Sequence, residues 1–367
     1  MIPVICFYQS EKYIYSTDYL ILSCAESSDV TSFLNEIAIK HESNMKVVQV
    51  NFDAFNTLDS QKQPPLYLGA KASVFVLKSY SLLSIREIKI KNMNLLSQNK
   101  DFLSQVNFKM QNSKAEFLQA VNRIRSMIAN GRIYQVNMTS ALKAEILMPA
   151  FQFFLLTYEN FKGQYKGFLP CENFNLISFS PELFLEKKDQ HLRTQPIKGS
   201  VSRLENTETS LLKSEKEEAE LSMIVDLLRN DLNSLETQHA ARVTNHRQLM
   251  DLNYIHHTFS EIEIKTTQSL PQILQTVMPG GSISGCPKIE SLIAISELEN
   301  YQRQAYTGTM GWWLKDDFTL NITIRSFVQS QKNYFYYAGC GIVYDSVPEK
   351  EFAELLNKTG NLNVQYD

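Results

Sequence analysis

The chain has 367 residues, 44% of them hydrophobic and 20% charged, the balance of an ordinary globular protein able to bury a core without cross-links. A formal net charge of −3 excludes a coat for nucleic acid or for an anionic membrane, since both need clustered lysine and arginine. The cysteines Cys6, Cys24, Cys171, Cys286 and Cys340 form no C-x-x-C pair, which predicts reduced thiols in a cytoplasmic protein and no zinc framework.

Glu11 and Lys12 arrive too early for a signal peptide, and no apolar run nears the roughly 20 residues that span a bilayer. Residues 1–110 carry short β-like runs at 46–51 and 72–77 around a polar stretch at 56–65. Phe117, Val121, Ile124 and Ile128 then recur at helical spacing, and Asn130-Gly131 predicts the stop. Residues 132–142 alternate as a strand, with Gln135 and Asn137 on one face and Val136 and Met138 on the other.

Further strands are predicted at 175–179, 318–328 and 334–344, and helices at 214–228, 287–298 and 348–358. Long alternating strands beside amphipathic helices predict an α+β fold.

Two helical segments carry glutamates three apart: Glu217 with Glu220, and Glu351 with Glu354, the latter followed one turn later by Lys358. That spacing puts each pair on one helix face. Two such faces across a cleft suit magnesium, a hard ion that takes a few carboxylates and keeps its remaining positions for water and substrate. Taken alone, each pair also reads as a solvated face behind a capping box, Ser214/Glu217 and Ser346/Glu349.

The run Pro279-Gly-Gly-Ser-Ile-Ser-Gly-Cys-Pro-Lys288 leads into a helix with Pro287 as its starter. It lacks a Walker lysine, and reads either as a tight turn or as a backbone cradle for an anion. In the predicted strand 318–328, Thr319, Asn321, Thr323 and Arg325 share a polar face, where an arginine can pair with an acid or grip a carboxylate.

Together these segments resemble the chorismate-utilising enzymes, the family of the anthranilate, aminodeoxychorismate, isochorismate and salicylate synthases. The motifs are Gly131-Arg-Ile-Tyr-Gln-Val-Asn137, Ser180-Pro-Glu-Leu-Phe184, Pro196-Ile-Lys-Gly-Ser200, 217–231, 279–288 and 339–354, in family order. The resemblance implies two large antiparallel sheets flanked by helices, with residues 111–367 as the chorismate-binding catalytic domain and 1–110 packed on it. It assigns magnesium to Glu220 and Glu354, with Glu217 and Glu351 behind them through water. It places Gly199, Ser200, Ser284, Tyr306, Arg325, Gly339, Gly341 and Lys358 around the substrate, and makes His257 the active-site histidine.

Two positions divide the family by chemistry. Water-adding members resemble one another in a lysine base where this chain has Gln135, whereas ammonia-adding members have glutamine. Lys198 stands where aminodeoxychorismate synthases carry a nucleophilic lysine and anthranilate synthases alanine, with Glu182 as the acid. The resemblance therefore implies amination of chorismate with ammonia, free or from a glutamine amidotransferase subunit. Anthranilate synthesis and a non-catalytic chorismate sensor are the rival expectations. Ser200 replaces the family's threonine, and Cys286 and Cys340 stand where small residues are usual.

Overall fold

The computed structural model describes residues 2–9, 11–25, 28–55, 70–96, 102–202, 215–235, 239–251, 255–360 and 362–367, with backbone alone for 198–202, 215–217, 219–220, 250–251 and 255–257. The polar stretch at 56–65, and Ser214 with its predicted capping box, lie outside the described residues.

Among the described residues, nineteen strands form one hydrogen-bonded network in which two sheets can be followed. In the first, the order runs Asn363–Gln365, Asn107–Met110, Gln135–Glu145, Asn333–Ile342, Ser326–Ser330, Asn175–Ser180, Tyr165–Pro170. In the second it runs Ala70–Leu83, Lys46–Val50, Thr309–Leu314, Asp317–Ile322, Leu183–Lys188, His191–Gln195, Ile255–Lys265. Val4–Gln9 and Lys12–Ala25 join the sheets, and all pairs but Asn363–Gln365 with Asn107–Met110 are antiparallel.

Alternation sorts the strand residues into layers. Val47, Phe75, Leu176, Val328, Phe335 and Tyr337, drawn from both sheets, pack together between them. Their neighbours Val48, Val74, Ile177, Phe327 and Tyr336 point the other way, into the larger core under the helices.

Among the described residues, seven helices of eight residues or more are numbered here in chain order. They are α1 (Val30–Lys40), α2 (Lys114–Ala129), α3 (Ala150–Thr157), α4 (Glu215–Asn233), α5 (Leu270–Val277), α6 (Lys288–Leu298) and α7 (Pro348–Lys358). None is long and apolar enough to cross a membrane. Phe117, Val121 and Ile124 of α2 are buried, and the helix ends at Asn130 before Gly131 at φ 71°. That left-handed turn is one that glycine accepts without strain.

Three local expectations change. The strand expected at 318–328 is two strands, Asp317–Ile322 in the second sheet and Ser326–Ser330 in the first, with Arg325 at φ 51° in the crossing. Ser346 does not cap α7: the N-cap is Val347, Pro348 opens the helix, and the Ser346 hydroxyl instead accepts from Val343 N at 3.1 Å. Pro287 is the N-cap of α6, one place before its first turn.

Candidate active site at the junction of the two sheets

The chain crosses between the sheets twice at one place. Pro181 and Glu182 link Asn175–Ser180 to Leu183–Lys188, and Thr323–Arg325 make the second crossing beside them. The crossings are tied by Ile322 N donating to Glu182 O at 3.2 Å and Phe179 N donating to Arg325 O at 3.1 Å. A strand leaving one sheet for another must turn, so the alternation that runs through Thr323 and Arg325 does not carry on into Ser326 and Phe327. Glu182 is buried and Arg325 half-buried at the same junction.

One wall is the Gln135–Glu145 strand, flanked by two glycine-bearing segments. Gly339 lies opposite Thr139, and Gly341 opposite Asn137. A Cβ on Gly339 would stand 2.8 Å from Thr139 Cγ2 and 2.9 Å from Met138 O, so only glycine fits. On the other side Cys286 pairs with Gln135, and Gly285, at φ 148°, brings its Cα so near that a Cβ would meet Gln135 O at 2.2 Å. Gln135 is buried, and its Oε1 accepts no hydrogen bond from a described residue. A buried amide oxygen left in that condition is an acceptor available to a ligand.

Ser284 ends the Gly281–Ser284 turn, fully buried, its hydroxyl donating to Gly280 O at 2.8 Å. The turn rests on α4, where a Cβ on Gly281 would collide with Leu227 at 2.5 Å. Lys288 Nζ is 2.8 Å from Asp231 Oδ1, which locks the end of the glycine-rich run to α4. Burial pushes the Asp231 carboxyl up, against the pull of Lys288.

Tyr306 is buried, stacked on Tyr337 with ring centroids 5.0 Å apart, and burial drives its hydroxyl well above the usual range. Leu221, Ile224, Leu228 and Leu232 bury one side of α4, while the side chains of Glu217 and Glu220 lie outside the described residues.

The strand Ile197–Ser202 carries Lys198 and pairs with Ile255–Lys265. Its register shifts between Lys198 and Ser200, so Gly199 sits at a bulge, a feature that re-aims side chains. Ser200 lies opposite His257. The side chains of Lys198, Ser200 and His257 are outside the described residues.

α7 packs on the strand that carries Gly339 and Gly341, burying Phe352 and Leu355. Glu351 is 5% exposed, whereas the Glu354 side chain is half-exposed. Lys358 Nζ lies 2.7 Å from Glu354 Oε1 and donates to Gly339 O at 2.7 Å, which joins the helix acids to the glycine strand. A carboxylate oxygen from each of Glu351 and Glu354, and Cys340 Sγ, fall within 4.8 Å of one another. The two carboxylates fit a hard divalent ion.

Sequence reasoning missed two features. The Asp231–Lys288 pair lay inside recognised motifs, but nothing local signals that they meet. The second is a buried hub: Arg303 donates to Glu299, to Ile283 O at 2.8 Å and to Asn137 O, while Glu299 Oε1 accepts from Thr139 N at 3.0 Å. The Glu299-x-x-x-Arg303 spacing was the available signal.

The fold is α+β, and Glu182 and Arg325 meet where the chain crosses between its two sheets. The chain belongs to the chorismate binding enzyme family, whose model matches residues 22–363. Aminodeoxychorismate synthase component 1 of Bacillus subtilis (strain 168) is 34% identical over 251 residues, 66% of this chain and 53% of the relative. An anthranilate synthase component 1 of Haloarcula marismortui is also 34% identical, over 273 residues, 72% of this chain and 54% of the relative. The matched stretches thus span about half the length of these curated relatives. The crystal structure of anthranilate synthase component I from Streptococcus pneumoniae TIGR4 aligns with a TM-score of 0.81 at 23% identity, covering 96% of this chain and 92% of that one. That likeness bears out the α+β fold.

Proposed function

We propose that the chain is the chorismate-converting component of an aminodeoxychorismate synthase, aminating chorismate at carbon 4. Relatives of two activities match at the same 34%, so overall identity does not choose between them. Lys198 carries the choice, and the absence of a lysine base at Gln135 speaks against addition of water.

In the proposed reaction the neutral Lys198 amine bonds to ring carbon 2 and the ring double bonds shift. The carbon 4 hydroxyl then leaves as water with the proton of Glu182. Ammonia attacks carbon 4, the double bonds shift back, and the carbon–nitrogen bond to Lys198 breaks. The surplus proton on the new amine restores Glu182. Arg325, Ser284 and the Gly339–Gly341 backbone would hold the substrate carboxylates, with Gly199, Ser200, Tyr306, Lys358 and His257 around them. Glu220 and Glu354, with Glu217 and Glu351 behind them, would hold Mg2+, which supplies positive charge to substrate carboxylate. A glutamine amidotransferase subunit, or free ammonia, supplies the nitrogen.

The test is product identification after incubation with chorismate, Mg2+ and ammonium. 4-Amino-4-deoxychorismate is expected, and anthranilate overturns the assignment in favour of the second reading that the Haloarcula relative suggests. Loss of the 4-amino product in Lys198→Ala, with a 2-amino product in its place, is the expected signature of the nucleophile. No turnover, even with an amidotransferase, favours a sensor.

A further inference from the structure

The strand Gln135–Glu145 is paired from Val136 to Glu145 by Asn333–Ile342 on one side, but only near its ends on the other. There Gly285–Cys286 covers Gln135 and Val136, and Asn107–Met110 covers Leu142 and Lys143. Backbone groups point to alternate sides along an antiparallel strand, so Asn137 O and Thr139 N point into the gap between those two partners. Side chains fill it. Arg303 donates to Asn137 O, and Glu299 Oε1 accepts from Thr139 N at 3.0 Å and from Thr139 Oγ1 at 2.8 Å. A buried ion pair, both side chains 1% exposed, takes the place of a missing strand.

The same guanidinium reaches the facing segment. Its Nη1 donates to Ile283 O at 2.8 Å, one residue before Ser284, and Asn137 Nδ2 donates to that oxygen at 3.2 Å. Glu299 grips the other edge of the fork, accepting from Nε at 2.9 Å and from Nη2 at 2.6 Å. The planar fork holds its donors at fixed directions, so one rigid group spaces the Ser284 turn from the strand of Gln135. The mechanism proposed above uses neither residue of this pair.

We propose that Arg303, oriented by Glu299, is a positioning residue: it fixes the Ser284 turn against the Gln135–Asn137 backbone and thereby sets how tightly the cleft holds chorismate. The substrate half of this rests on the function proposed above, whereas the brace itself does not.

Two variants of the full chain test it. Arg303→Lys keeps a cation beside Glu299, but an ammonium lacks the planar fork that spans both carbonyls. Glu299→Leu combined with Arg303→Met leaves no lone buried charge and so keeps the chain folded, yet offers nothing to either carbonyl. Peptide-resolved hydrogen–deuterium exchange, against wild type in urea matched to the same global stability, reads the brace without turnover. Amides of 137–140 and 281–286 should exchange roughly 10-fold faster in both variants, as local opening allows, with Asn175–Ser180 unchanged. KM for chorismate should rise roughly 10-fold with kcat changed far less, the signature of lost binding rather than lost chemistry. A rise that persists in the double variant, whose stability is recovered, is one that a merely structural role would not produce.

Unchanged exchange in both segments overturns the brace, and faster exchange with an unchanged KM overturns its role toward substrate. If Arg303→Lys does not fold, the double variant decides by the same two readings. A wild type that converts no chorismate sinks the proposed function, and exchange alone then decides the brace.

Discussion

Arg303 donates from Nε and Nη2 to the two carboxylate oxygens of Glu299, at 2.9 and 2.6 Å, with both side chains only 1% exposed. The guanidinium also lies over the Phe52 ring at 4.8 Å, so the pair ties the N-terminal region to the Gln135 strand and the Ser284 turn. Breaking a buried pair strands the surviving charge. Glu299→Gln should therefore cost about 3–5 kcal/mol in urea denaturation. Glu299→Leu combined with Arg303→Met should recover a substantial part of that loss, because no lone charge remains buried.

Gly339→Ala should destabilise by ~1–3 kcal/mol, as overpacking against backbone does. The clash is with Met138 O as well as Thr139 Cγ2, so Thr139→Ser in the same chain should relieve only part of it. Gly131→Ala is the contrast: nothing lies within 4 Å of its Cβ, and the cost is the left-handed backbone alone, about 1 kcal/mol. Denaturation midpoints of the variants check the ranking.

Under the proposed function, Arg325→Ala should raise the KM for chorismate roughly 10–100-fold, the worth of one charge-assisted contact of about 1.5–3 kcal/mol. Arg325→Lys should recover less than half of that in free energy, because an ammonium cannot match a bidentate fork. Arg325→Gly should lose binding like the alanine variant, yet be more stable than it, since φ is 51°. Steady-state kinetics beside thermal melts separate the two effects.

Asp231 sets a pH dependence. Burial raises its folded pKa above the unfolded value, so in the window between them the folded chain holds a proton that the unfolded chain has lost. The contribution favours folding below the ordinary carboxylate range near ~4, declines as pH rises through the raised value, and is level above it. Asp231→Asn should remove that decline. Denaturation at intervals from acid to neutral pH, wild type against variant, measures it. Wild-type stability that rises with pH relative to Asp231→Asn would refute the assignment.

Much of this was legible locally. Glu351 and Glu354, with Phe352 and Leu355 between and beyond them, announce a helix with one buried and one acidic face, and α7 spans the predicted 348–358. Gly339 lies so close to the Gln135–Glu145 strand that a Cβ would meet Thr139 Cγ2 and Met138 O, a contact between distant segments. Arg325 misled: its alternation with Thr323 and Asn321 continues a pattern that the chain abandons when it changes sheets.

The sequence by itself determined the family motifs, the helix that carries Glu351 and Glu354, and the glycines that allow close backbone approach. Periodicity and turn chemistry report on neighbours within a few residues, and these features are of that range. Only the tertiary structure decided that Glu182 and Arg325 share a crossing, that Lys288 meets Asp231, and that Cys340 lies against the α7 acids. Each of those depends on which distant segments come into register, and no local pattern records the partner across a sheet or a helix interface.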